Sequence, residues 1–382
     1  MSADPLPPDQ APGAPHPRET AQLFGQDAAQ NAFLQAYTSG RMHHGWLLTG
    51  PRGIGKATLA WRIARFLLAT PAAEAAGMFA PPPPDSLDIA PDHPVARRIL
   101  AGAEPGLAHV TRSEDEKRSG RIRQEIVVDD IRRLARFFGL SAADGGRRVV
   151  IVDAADEMNT AAANALLKML EEPPARTTLL LVAHHPSRLL PTIRSRCRTL
   201  RLNPLDSADM QAALSQAGTA LPDASGQADH LAALAAGSVG AAFRLLGLDG
   251  LRLYGELIAI LDSLPALDRP RALALAQAAA QRGAAETFDL LLDLTEIALT
   301  RLARTGASGT APRPEAAPGE AAILTRLAPD PGMARAWAET AAIITDRSRH
   351  GQSVNLDPAA LVLDTVFKMK ETVAGRPRAN SP

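Results

Sequence analysis

The stretch that most limits what this chain can fold into is Trp46-Leu47-Leu48-Thr49 followed at once by Gly50-Pro51-Arg52-Gly53-Ile54-Gly55-Lys56-Ala57-Thr58. The first four residues read as a short buried strand. Three glycines in the next six let the backbone wrap with its N–H groups turned inward, and Leu59, Ala60, Ile63, Ala64 and Leu67 then recur at helical spacing. Strand, glycine loop and helix in this order make a phosphate cradle, because the inward N–H groups and the positive end of the helix converge on one point. Gly50, Gly53, Gly55 and Lys56 are the candidate contacts. The eighth position breaks the pattern: Ala57 stands where a hydroxyl should reach Mg²⁺, and Thr58, one residue on, points about 100° away around the helix.

A second constraint is Arg147-Arg148-Val149-Val150-Ile151-Val152-Asp153, a buried strand ending in an acid, the form that holds the metal in nucleotide-binding α/β folds. Hydrolysis there wants a further carboxylate to orient and deprotonate water, and the next residue is Ala154. Asn159 or Thr160 can cap the following helix, which Pro173-Pro174 ends. Glu171 and Glu172 diverge by about 100° as helix neighbours, which makes them structural or interfacial rather than a shared ligand pair. Thr178 to Ala183 reads as another buried strand. His184-His185 after it has no further ligands at usable spacing and reads as polar loop near the phosphate face. Finally, Arg196 stands just before the short strand Thr199 to Leu202, where a guanidinium can project from the domain edge toward phosphate charge in a neighbouring subunit. The chain reads as a donor of such groups more than a user of them.

A length of 382 residues suffices for two or three domains. Forty-one basic residues balance forty-one acidic ones, so no global field draws the molecule to nucleic acid or an anionic membrane. Any DNA contact must be local; the Arg132, Arg133 and Arg136 face of a helix over Val128 to Phe138 is one candidate. The single Cys197 excludes an internal disulfide framework and a four-cysteine zinc site, and fits a reducing compartment. Met1 to Pro17 lacks the apolar core of a secretory signal, and no run of eighteen apolar residues is present. The expected location is cytoplasmic. The expected organisation is a disordered leader (1–20), an α/β nucleotide-fold domain with about five parallel strands (21–203), a small helical lid (204–250), an all-α collar (251–375) and a tail (376–382). Thr305 to Gly319, rich in Pro, Ala and Gly, is expected to be mobile.

Taken in order, His43-His44, Gly50 to Lys56, Asp153-Ala154-Ala155-Asp156, Ala161 to Pro174 and Ser195-Arg196-Cys197 resemble the clamp-loader branch of the AAA+ ATPases that serves bacterial DNA polymerase III. The resemblance covers residues 22 to 250 well and the helical end only in general pattern. It implies a clamp-loader subunit in which Arg196, flanked by Ser195 and Cys197, is an arginine finger acting in trans. It also makes Lys56 the Walker A lysine and Asp153 the Walker B acid. Ala57, Ala154, Ala183 and Gly240 then stand where the motor subunits carry a hydroxyl, a carboxylate, a polar first sensor and an arginine second sensor. Gly50, Gly53, Gly55, Lys56, Thr58 and Asp153 accordingly form a weak or vestigial nucleotide site. ATP with Mg²⁺ would bind weakly at most, no cofactor is required, and the zinc module usual between the two Walker motifs is absent, its role falling to the Pro71 to Pro94 region or to nothing. The implied partners are gamma/tau-type and delta-type subunits, the sliding clamp indirectly, and primer-template DNA, with no membrane. Two rival readings are an active gamma/tau-type motor using Lys56 and Thr58, and a P-loop DNA-processing adaptor that binds single strands. Neutral charge and few aromatics weigh against the second rival.

Overall fold

The computed structural model describes residues 7–20, 22–70, 82–115, 122–139, 146–219 and 226–375. They fall into two compact units, residues 1–220 with 237–240 and residues 221–236 with 241–382. The first unit runs α1 (Asp27–Thr38), β1 (Gly45–Thr49), α2 (Lys56–Ala69), α3 (Pro94–Leu100), β2 (Leu107–Val110), α4 (Val128–Gly139), β3 (Arg148–Asp153), α5 (Thr160–Glu171), β4 (Thr177–Ala183), α6 (Pro191–Ser195), β5 (Arg198–Arg201) and α7 (Ser207–Gln216).

The five strands are all parallel, in the order β2-β3-β4-β1-β5. Parallel sheets carry helices on both faces, which is why β3 and β4 are unbroken apolar runs. Val150, Val152, Leu179 and Leu181 face the cluster built with Ile131, Leu134, Leu166 and Leu170 from α4 and α5. Their alternates Val149, Ile151, Leu180 and Val182 are as fully buried, on the face where α2 packs. Register aligns Thr49 with Ala183 and Asp153 with Val182, so the ends of β1, β3 and β4 stand side by side at one edge. Helix ends follow the expected chemistry: the Asn159 side chain accepts from Ala162 N at 2.9 Å to start α5.

The second unit is helical throughout, with α8 (Gln227–Ala235), most of α9 (Val239–Gly247), α10 (Gly250–Asp262), α11 (Arg269–Ala279), α12 (Ala285–Ser308), α13 (Glu320–Leu327), α14 (Pro331–Ser353) and α15 (Pro358–Ala374). The five-stranded α/β unit and the helical C-terminal part are as the sequence leads one to expect.

Helices α8 and α9 are separated by Ala236 and Gly237, which both take left-handed φ, 48° and 77°. Two segments, the lid and Thr305 to Gly319, differ from expectation. Residues 204–220 and 237–240 of the expected lid lie in the first unit and the rest in the second. The Thr305 to Gly319 stretch is not loose. Helix α12 continues to Ser308, and Ala316 and Ala317 beyond it are buried.

The cause is a buried polar knot. Glu320, fully buried, accepts from Tyr254 Oη at 2.6 Å, from Arg301 Nε and Nη2 at 2.8 Å each, and from Ala316 N at 2.6 Å. Arg301 Nη2 also donates to Pro314 O at 2.9 Å, so the guanidinium ties the segment down. Burial and the Glu320 charge push the Tyr254 phenol upward, keeping it a neutral donor.

The leader also departs from its expected disorder over residues 7–20, which form turns; residues 1–6 and the tail 376–382 lie outside the described residues. The His16 ring and the Asp9 carboxylate are buried. Of Pro71 to Pro94, residues 82–94 are described; there Leu87 is buried and Asp88 accepts from Arg62 at 2.8 Å.

Replacing Glu320 by Gln leaves Arg301 buried without its counter-charge. The expected loss is about 3–5 kcal/mol of unfolding free energy in urea titrations. The pair Arg301→Met with Glu320→Leu should recover most of it, and a loss below about 1 kcal/mol for Glu320→Gln would show that the knot is not what secures 309–319.

Candidate nucleotide site

The loop after β1 is closed on its own lysine. Lys56 is 3% exposed, and its Nζ donates to Gly50 O at 2.7 Å and to Pro51 O. Gly53 takes φ 72°, and a side chain there would strike Ser238 Oγ and the Gly240 backbone. That close approach is used: Gly240 N donates to Gly53 O at 3.0 Å, and Ser238 Oγ donates to Arg52 O at 2.9 Å. Gln26 fixes the other side of the loop. Its Nε2 donates to Ile54 O at 3.2 Å and to Asn203 O at 2.7 Å, while its Oε1 accepts from Asn203 N at 3.2 Å.

Burial draws Lys56 down to about 8, helped by Arg52 and opposed by Asp153 and Asp156. Asp153, at the end of β3, is pushed up to about 7, first by burial and then by the charge of Asp9. Asp156 behaves differently. Burial raises it, but the backbone N–H groups of His184 and His185, which donate to its two oxygens at 2.9 and 2.8 Å, bring it below the ordinary carboxylate range. The turn after β4 is thus clamped, and His184 is held near Lys56. Burial and the charges of Lys56 and Arg52 take His184 down to about 3, so its ring is neutral at physiological pH. Its Nδ1 is buried and has no hydrogen-bond partner.

These residues fit a phosphate better than a hydrolysing metal site. The cradle offers an ammonium, a glycine loop and the N-terminus of α2. For Mg²⁺ the same site offers Asp153 and no hydroxyl at 57, and Ala154, buried beside it, has nothing to orient water. Bound nucleotide would supply the phosphoryl group and its metal; Lys56 is the group of this chain placed to meet phosphate charge. Thr58 follows two residues after Lys56 on α2, about 200° further round the helix. Among the described residues, no three His, Cys, Asp or Glu side chains gather as a metal-binding group.

Arg196 lies elsewhere in the unit, between α6 and β5, and β5 is an edge strand. Its side chain is 38% exposed, with Nη2 3.0 Å from Glu171 Oε1 and Nη1 donating to Thr192 O at 3.2 Å. Ser195 Oγ donates to Thr192 O at 3.1 Å, a local cap rather than a reactive arrangement. Cys197 is half-buried beside Gly45, and burial pushes its thiol up to about 12, so it is no nucleophile. On α4, Arg132 and Arg133 pair with Asp129 and Asp130 one turn back, at 3.1 and 3.2 Å.

Sequence reasoning placed Gly50, Gly53, Gly55, Lys56 and Asp153 together but missed Gln26, Asp156 and Ser238. Only Asp156 left a trace, as the second acid of Asp153-Ala154-Ala155-Asp156. The links from Gln26 and Ser238 are to backbone carbonyls, which carry no residue signature.

The family model described as DNA polymerase III, delta subunit, matches residues 25–206. DNA polymerase III subunit delta' of Pseudomonas aeruginosa is 41% identical over 207 residues, 53% of this chain and 56% of that protein. DNA polymerase III subunit gamma of Buchnera aphidicola is 39% identical over 51 residues, 13% of this chain and 14% of that protein. The chain thus spans little more than half of one of these relatives and a small part of the other. Among solved structures, a DNA polymerase III gamma subunit-related protein of Thermotoga maritima covers 89% of this chain at 17% identity with a TM-score of 0.37. The RuvB Holliday junction branch migration motor of the same organism gives a TM-score of 0.36. Scores this low carry no argument about this chain. Over residues 25–206 this chain is thus similar to the DNA polymerase III delta family and, over about half its length, to a delta' subunit.

Proposed function

We infer that the chain is the delta' subunit of a DNA polymerase III clamp loader, helping to load the sliding clamp onto primed DNA. It turns over little ATP itself and presents Arg196 to the nucleotide of an adjacent gamma/tau-type subunit. The observation that carries this reading is the contrast between two sites in one unit. Lys56 is folded into its own loop with no hydroxyl or second carboxylate beside it, while Arg196 is held at the surface by Glu171 and the Thr192 carbonyl. A guanidinium held by one exposed carboxylate gives up little when a phosphate replaces it, since exposed ion pairs are worth roughly 0–1 kcal/mol. Fingers of this kind contribute ~10³ to 10⁵ in rate. The rival motor reading would need Thr58 to do what Ala57 cannot. The adaptor reading would need a free basic face, and two of the three α4 arginines are paired with acids on their own helix.

Arg196→Ala in a loader reconstituted with gamma/tau-type and delta-type subunits should lower DNA-stimulated ATPase at the neighbouring site by at least tenfold, with assembly of the complex intact. Unchanged ATPase and clamp loading would remove the assignment. Glu171→Gln should leave ATPase within about threefold, because the exposed pair orients Arg196 but does not touch phosphate.

The P-loop carries its own pH signature. Asp153 keeps a proton in the folded state up to about pH 7, whereas the unfolded carboxyl loses it near 3.8; stability from this group is full below pH 4 and falls as pH rises to 7. Lys56 acts in reverse, since between about 8 and 10.5 the unfolded chain holds the extra proton and stability rises with pH. Asp153→Asn should therefore gain on the unmodified protein between pH 4 and 7, by at most about 4 kcal/mol at 1.36 kcal/mol per unit. Urea titrations of both proteins at those pH values read the difference, and a flat difference would mean that Asp153 is ionised throughout.

A further inference from the structure

The leader lies across the edge of the sheet where the P-loop opens. The Asp9 carboxylate has its Oδ2 3.0 Å from His16 Nε2 and 3.5 Å from His109 Nε2, and its side chain is only 2% exposed. His109 belongs to β2, paired in register with Ile151 of β3. The rings of His16 and His109 stand edge-on to Trp61 of α2, with centroids 5.8 and 4.9 Å away. His16 Nδ1 accepts from Arg18 N at 3.1 Å, which leaves Nε2 as the protonated nitrogen that meets Asp9. Two residues after Asp9, Ala11 comes close to Gly240, its Cβ 3.7 Å from where a side chain on Gly240 would begin, and Gly240 in turn abuts Gly53 of the P-loop. Residues 9–11 thus run from β2 to the glycine loop along the carboxyl ends of the strands, the place where ligands of open α/β sheets sit. Asp153 feels the Asp9 charge at that edge.

How the leader is attached matters as much as where. No apolar side chain of residues 7–20 is buried in the core; what is buried is His16 and the Asp9 carboxylate. Segments held by few buried apolar contacts open at low free-energy cost. The remaining ties are local or polar, among them Arg65 Nη2 donating to Arg18 O at 2.8 Å.

We propose that residues 9–18 are a detachable strap, clasped through Asp9 between His16 and His109, that covers the mouth of the P-loop, so that a nucleoside phosphate reaches Gly50–Lys56 only when the strap lifts. This rests on reading Gly50–Lys56 as a phosphate cradle, not on any role for Arg196. Competition of this kind is reciprocal: if the strap weakens nucleotide binding by some factor, nucleotide must loosen the strap by the same factor.

The experiment uses the full chain with MgADP as probe. Amide exchange is followed at Gln10, Ala14 and Arg18, whose N–H groups donate to Pro7 O, Ala11 O and His16 Nδ1. Asp9→Ala, with Asp9→Asn as the milder variant, should speed exchange at these three sites at least tenfold and tighten MgADP binding at least fivefold. Saturating MgADP should speed the same exchange in the unmodified protein. Lys56→Ala placed on top of Asp9→Ala should abolish the gained binding. Faster exchange without tighter binding, or nucleotide that leaves the leader's exchange unchanged, overturns the strap while leaving the cradle intact. Tighter binding that survives Lys56→Ala overturns the cradle, and the strap with it. A thermal melt of each variant separates opening of the leader from loss of the α/β unit.

Discussion

A buried ammonium must have oxygen around it, and much of the first unit is arranged to supply that to Lys56. The lysine takes two carbonyls from its own loop, which can curl back that far only because Gly53 adopts a left-handed φ with the Gly240 backbone packed against it. Its two nearest acids come from the end of β3 and the turn after it, brought level with the loop by the register of β3, β4 and β1. A single charge thus depends on the loop, on three neighbouring strands and on residues 237–240. The arrangement is satisfied internally. Phosphate binding must exchange those carbonyl contacts for phosphate ones, and the net gain is small when the departing partners are already good.

The same sheet gives Arg196 the opposite situation. Strand β5 lies on the edge, so the turn that enters it stands in solvent, and its guanidinium is held by one exposed carboxylate and one carbonyl. The scaffold is rigid just behind it. Gly45, at the start of β1, has no room for a side chain beside the Arg196 carbonyl and Cys197 Sγ, and His44 Nε2 is tied to Leu170 O at 2.9 Å. The backbone at Arg196 is therefore held in place while its side chain stays partly exposed.

Much of this was legible in the sequence because it rests on patterns that one residue type imposes. Continuous apolar runs announced β1, β3 and β4, and the glycine spacing announced the loop. Asn159 announced the start of α5 and Pro173-Pro174 its end. What was not legible rests on long-range polar pairing. The Pro, Ala and Gly content of residues 305–319 argues for mobility on composition alone, yet Arg301 and Glu320, nineteen residues apart, fasten it. Composition likewise argues for a disordered leader, and the structure buries its Asp9 carboxylate 3.0 Å from His16 Nε2 and 3.5 Å from the Nε2 of His109, a hundred residues on in sequence.

The two polar fastenings differ in kind, and the difference bears on which can open. Glu320 meets a guanidinium that stays charged at any accessible pH, and it uses both oxygens against four donors; breaking it strands a full charge in the interior. Asp9 meets imidazoles. His109 is drawn down to about 4, with burial the main cause and the Asp9 charge opposing it, so near neutral pH that ring brings a polar nitrogen and no charge. His16 offers a single Nε2 contact. The helical unit thus buries a permanent ion pair to hold a segment still. The leader is held by a carboxylate that returns to water when its segment lifts, recovers its hydration, and leaves a neutral ring behind at His109. Of the two, only the leader's contact can be made and broken without leaving an uncompensated charge in the interior.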